Sequence, residues 1–261
     1  TSTGKLNVNG SVSLNLYKVK PTTELIVQTG GTLQLASTSF LFGSGKIELQ
    51  GNLQNEGSIT VDELIVNGTT PQQLINTTGV AASITKLIMN NAAGLTVQGL
   101  HDINTIELTS GLINTSANNT ISFRDAFGGS ASSYVNGIVR FNISSGRSVD
   151  IPIGKNGAYR PLILTANSAD GEGSALMQAE VIMGAPTVRT FPAGIINVSN
   201  IRYYQVSALT NGSNVRDFTI TLPYGTDDGV SDHTILKIAK DNGAGAWLNL
   251  GGTGSGAAPG T

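Results

Sequence analysis

Short runs of alternating apolar residues, each introduced by a small polar turn, recur through the first half of the chain. They read TGGTLQL (29–35), GSGKIELQG (43–51), NEGSITV (55–61) and GLTVQGLHDINTIELTSGLI (94–113). Alternation of period two marks strands with one buried face. A strand of three or four residues cannot bury that face alone. Stacked on copies of itself it can, and the stack shares one continuous core. Gly31, Gly45 and Gly57 open three successive runs at intervals of 14 and 12 residues, and the intervals lengthen later. The pattern predicts a right-handed β-helix-like solenoid over residues 1–133, with each run a consecutive coil. Leu33, Leu35, Ile47, Leu49, Ile59, Val61, Leu95 and Val97 are expected to point inward. Gly and Asn at the corners supply the positive φ that tight bends need.

RDAFGGSASSYV (124–135) breaks this rhythm with small residues and marks a domain boundary. Beyond it the strands lengthen: 137–143, 148–153, 161–166, 176–183, 201–208, 216–222, 234–240 and 247–250. Loops rich in Gly, Asn and Asp separate them. Strands of this number and spacing predict an antiparallel β-sandwich over 134–250. The final GGTGSGAAPGT (251–261) reads as a flexible linker or tail. The fold class is therefore all-β, a solenoid followed by a sandwich.

Composition agrees. Charged residues are only 12% of the chain, about half the usual share, so surface helices lack their usual Lys and Glu. Net charge is −2 with no basic stripe, which argues against a nucleic-acid partner. No apolar run approaches the ~18 residues of a membrane span, so no membrane insertion is expected. Cysteine is absent, which excludes disulfides, thiolate metal sites and a thiol nucleophile. Thr1 is not an initiator Met, and the chain is expected to be a mature form or an excised fragment. Sequons such as Asn67-Gly-Thr and Asn142-Ile-Ser are expected by chance in so Asn/Thr-rich a chain.

The order of motifs resembles modules of large secreted surface proteins of Bacteroidota, adhesin-like and exported by the type IX route. The coil motifs are TGGTLQL, GSGKIELQGNLQNEGSIT, PQQLINTTG (71–79), ITKLIMNNAAGLTVQG (84–99) and TSGLINTSANNTISF (109–123). More specific are SYVNGIVRF…VDIPIGKNGAYRPLILT (133–165) and the closing RYYQVSAL (202–209), ITLPYGTDDGV (220–230) and LKIAKDNGAGAWLNLGG (236–252). Tyr204 stands where those modules usually carry Trp. The resemblance implies an extracellular or cell-surface location and a structural or adhesive role, and it brings no catalytic residues.

Candidate sites are sparse. Solenoid glycosidases and lyases gather acids on one face, and most hydrolases need two carboxylates flanking the cleaved bond. Here Glu24, Glu48, Glu56, Asp62, Glu63, Asp102, Glu107 and Asp125 are dispersed, and a solvated surface is expected. His101-Asp102 could form an acid–base pair but is expected to be a loop pair. Asp227, Asp228 and Asp232 form the densest acidic cluster; a hairpin turn with exposed acids is expected, and they are the candidate Ca²⁺ ligands as the alternative, although they lack a complete EF-hand loop. Arg160 and Lys155 could hold an acidic glycan; packing of Tyr159 and Arg160 over the domain junction is the plainer expectation. Trp247, Tyr203 and Tyr204 could stack on sugars, but core packing is expected for a lone Trp. Ice binding would need regular ranks of Thr, which are missing.

The chain is thus expected to be a non-catalytic structural or adhesive module, a stalk or filament segment. Its partners would be other modules of the same polypeptide or identical subunits, with surface glycans as further candidates. A carbohydrate-active protein, either a glycan-binding module or a β-helix lyase or hydrolase, is the alternative.

Overall fold

In the computed structural model the chain is all-β, 59% strand and 3% helix, with a β-solenoid of about seven turns. It describes residues 5–18, 24–167, 173–210, 215, 217–256 and 259–261. No helix among them is long and apolar enough to cross a membrane.

Strand register resolves the solenoid into three parallel ladders, so each coil is a three-sided turn. Face 1 stacks Glu24 on Lys46, Glu63, Lys86, Thr105 and Asp125 in successive coils. Face 2 stacks Leu33 on Leu53, Leu74 and Val97, and its later rungs are Leu95, Ile113, Val135 and Ile153. Face 3 stacks Leu41 on Ile59, then Val61 on Ile84 and Ile103, and Phe123 on Phe141. Coil length along face 1 varies from 17 residues (Lys46 to Glu63) to 23 (Glu63 to Lys86). The expected assignment of one run to one coil is therefore corrected: each run is one side of a coil. Gly57 does not continue the stack of Gly31. Gly31 lies under Gly51, and Gly57 lies against Ser39.

The eight residues expected inside are inside, none more than 4% exposed. They belong to one apolar cluster that runs from Val8 through the coils to Val215. Buried amide side chains at the corners satisfy backbone groups that the bends leave open. Asn55 Nδ2 donates to Asn76 Oδ1 (2.9 Å), and Asn76 Nδ2 donates to the carbonyl of Leu100 in the coil beyond (2.8 Å). Gln72 Nε2 donates to the carbonyls of Leu49 (2.6 Å) and Gly51 (2.7 Å), while its Oε1 accepts from the Gly68 amide and from Asn91 Nδ2.

The parallel ladders cross the boundary expected at 133/134. Val135–Asn136 pairs in parallel with both neighbouring coils, and Val139–Ser144 pairs in parallel with Thr120–Phe123. Each face then passes into antiparallel strands. On face 3, Val139–Ser144 pairs on its far edge with Ser174–Met183, which pairs with Arg202–Thr210. On face 2, Ile153–Lys155 turns back onto Ala158–Tyr159. Beside face 1, Ser148–Ile151 begins a second antiparallel sheet with Leu162–Ala166 and Phe218–Thr221, and Arg147 reaches back to ion-pair with Asp125 of the last coil. Inward residues of both sheets, among them Phe141, Val149, Leu164 and Val181, continue the solenoid core.

Described residues of the C-terminal segment 251–261 bond back to Tyr224. Tyr224 and Gly260 exchange both backbone hydrogen bonds (2.8 and 3.0 Å), and the Tyr224 hydroxyl donates to the carbonyls of Ser255 and Gly256.

Candidate functional site

The acids of the solenoid lie on its outside, on different sides. Along face 1 Glu24, Lys46, Glu63 and Lys86 alternate in sign on successive rungs. Lys46 reaches Glu48 (2.7 Å) and Glu24 (3.8 Å), and Lys86 reaches Glu107 (2.6 Å). These bonds hold both lysine pKa values above the ordinary one, the hydrogen bonds that the ammonium groups donate to Glu48 and Glu107 being the main causes. Asp102 is on face 3, where it accepts from the Ser122 hydroxyl (2.9 Å). Asp102 and Glu107 therefore stand on two different faces of one bent strand, Leu100–Ser110, and cannot flank a common bond.

His101 and Asp102 are neither a loop pair nor an acid–base pair. They are consecutive in a strand, so their side chains leave on opposite sides. His101 points into the core at 1% exposure, between Ala82 and Ile121 on neighbouring rungs. Nε2–H donates to the Gln98 carbonyl (3.1 Å), and Nδ1 has no partner. Burial drives its pKa down to about 4, so the ring is neutral at physiological pH.

The acidic cluster is also reassigned. Asp227 and Asp228 are brought together, but on two guanidinium groups instead of a metal. Arg160 and Arg202 both bond Asp227; Arg202 Nε lies 2.9 Å from Asp228 and Arg160 Nε 3.6 Å. The hydrogen bond from Arg202 is the main reason the Asp227 carboxyl stays below its ordinary pKa. Asp228 also accepts from the Gly225 amide (2.6 Å). A side chain at Gly225 would stand 2.0 Å from Arg160 Nη2, which accounts for glycine there. Asp232 takes no part: it caps the short turn His233–Ile235 by accepting from the amide and hydroxyl of Thr234. Among the described residues no three His, Cys, Asp or Glu converge as a metal site.

The PIGK…YRP element has a structural role at each position. The Pro152 carbonyl accepts from the Val135 amide (2.9 Å), extending face 2 by one rung. A Cβ at Gly154 would meet the Tyr134 ring at 2.8 Å. Lys155 pairs with Glu180 (3.2 Å) across the junction. The Tyr159 ring packs 6.2 Å from that of fully buried Tyr134, whose hydroxyl accepts from the Gly157 amide (3.0 Å). Both cations proposed for an acidic glycan are thus neutralised by the chain's own carboxylates. Tyr203 and Tyr204 leave opposite sides of their strand; burial raises the Tyr204 pKa, and its hydroxyl is buried without a partner. Trp247 is 8% exposed in the hairpin of Ala239–Asp241 and Trp247–Asn249. The three aromatics form no common platform.

A groove of about 430 Å³ lies at the corner between faces 2 and 3. It follows from unequal corner lengths in three consecutive coils. Between the paired stretches of the two faces the chain takes four residues (36–39), then two (56–57), then five (77–81). The middle corner is recessed between two longer ones. Gly57 permits the tight bend, since a Cβ there would lie 2.3 Å from the Ser39 carbonyl. Sequence reasoning missed this groove; its visible trace was STSFLFGSG (37–45), where Phe40 and Phe42 alternate with buried Leu41. It also missed Arg202, whose carboxylate partners lie 25 residues further on.

Comparison of the chain with protein-family models, with curated proteins and with solved structures finds no match.

Proposed function

We propose that the chain is a structural module of an extracellular or cell-surface protein: a rigid solenoid spacer closed at one end by a small sandwich made of its two antiparallel sheets. The observation that carries this reading is the junction. All three faces continue into the antiparallel strands, by backbone pairing on faces 2 and 3 and by the Arg147–Asp125 pair on face 1, over one uninterrupted core. The open end of a solenoid exposes unpaired edges and apolar side chains and needs a cap. A cap joined this way transmits force, whereas a binding head on a tether needs no such continuity. The right-handed crossover preference of parallel strands gives the coil its hand. The likeness of the PIGK…YRP and WLNLGG elements to Bacteroidota surface modules supports the location and an adhesive setting. Partners are then adjoining modules of the same polypeptide or identical subunits.

The test is made on the cells that produce the protein. Antibody labelling and protease treatment of intact cells should reach the chain, and electron microscopy of the released material should find it within a longer polypeptide or filament. A chain protected inside intact cells and free as a monomer after lysis would contradict the reading.

A further inference from the structure

We propose that the groove between the two long corners is a binding site for a neutral saccharide, one or two pyranose units long. The inference is independent of the structural reading above, since the groove lies three coils or more from the junction. Its floor follows from register. Phe40 stands beside Ser58 on the next rung, and Ala81, just ahead of the strand Ala82–Asn90, lines the groove in the coil after that. Rungs are ~4.8 Å apart, so an aromatic ring followed by two small residues leaves a trough of roughly 10 Å, the span of one or two sugar rings. Phe40 is 53% exposed. What sets it apart from the other exposed apolar side chains is its place in the lining of a groove, next to Ser39, Glu56 and Ser58.

The polar groups suit hydroxyl recognition. The Ser39 hydroxyl lines the groove, belongs to a residue 1% exposed, and has no hydrogen-bond partner. A buried hydroxyl left unpaired is costly, and a ligand hydroxyl or its water substitute relieves it. Glu56 and Thr78 sit at the two walls. A carboxylate accepts from two sugar hydroxyls at once but repels an acidic sugar, which selects the neutral class. The Thr78 hydroxyl donates to the Val80 carbonyl (2.7 Å), which fixes the far wall before any ligand arrives. The volume is at the small end of ligand sites, so binding should be weak, with Kd on the order of 1 mM.

The experiment is a ¹H–¹⁵N chemical-shift titration of the full chain with gluco-, manno- and galacto-oligosaccharides of two to four units, and with tetramethylammonium as a competing ligand class. Shifts confined to 37–40, 55–59 and 78–82 are expected with at least one neutral glycan. Phe40→Ala should weaken binding about tenfold, the loss of one aromatic contact. Ala81→Tyr, which fills the exposed floor, should abolish it, and Phe127→Ala on another face should leave it unchanged. No shift with any neutral glycan at 50 mM (on the order of 50 Kd) would overturn the proposal. So would binding that survives both groove variants, or perturbation by tetramethylammonium alone.

Discussion

His101 occupies a rung between Ala82 and Ile121, where every neighbouring coil supplies an apolar side chain. Its pKa falls from 6.5 to about 4, burial being the main cause. The unfolded chain therefore takes up the proton first. The stability held by neutral His101 is complete above pH 6.5 and is lost as pH falls toward 4, by roughly 3 kcal/mol when fully developed. Urea unfolding at pH 7 and pH 4.5 should show that loss in the native chain. His101→Leu should show a smaller drop over the same interval, because no buried imidazole is left to take up a proton. The sequence placed this histidine beside an aspartate and suggested a pair. Which residue faced inward could not be read without the register, and a one-residue slip exchanges the two.

Single strands were legible and coils were not. The alternation at Leu33/Leu35, Ile47/Leu49 and Ile59/Val61 gave both the strands and their buried faces. The period was misread because a coil has three sides of nearly equal length, so the strongest repeat in the sequence is the side. Corner length, which varies between two and five residues on one edge alone, blurs the longer repeat further. The true corner stack is visible at Gly51, where a Cβ would lie 2.1 Å from the Gly31 carbonyl and 2.5 Å from that of Gln28. Backbone cannot yield as a flexible side chain can. Gly51→Ala should therefore destabilise the chain by about 2–4 kcal/mol. Gly10→Ala, where nothing lies within 4 Å, should stay within about 0.5 kcal/mol of the parent. Thermal melts of the two variants, read by far-ultraviolet circular dichroism, make the comparison. Equal melting points would remove close coil packing from the account.

Coils and antiparallel sheets meet at one joint, and the rigidity of the chain rests on it. Its parts were separately present in the sequence. Their meeting was not, since Arg160 finds Asp227 across 67 residues and no local pattern announces such a contact. Arg202 is 4% exposed on its side chain and Asp228 9%, so removing the cation leaves the buried carboxylate with only the Gly225 amide and the more distant Arg160. Arg202→Met should cost about 3 kcal/mol, seen as a lowered melting temperature, and Arg202→Lys should recover only part of it because an ammonium cannot span both aspartates. The most direct measurement of the central claim is hydrogen exchange of the intact chain followed by mass spectrometry. If the coils and the cap are one unit, amides of Val139–Ser144 and Ser174–Met183 should exchange as slowly as those of Ser58–Val66 and Ala82–Asn90, opening only with the coils. Rapid exchange of the antiparallel strands while the coils stay protected would show two independent bodies, and the rigid spacer would be wrong.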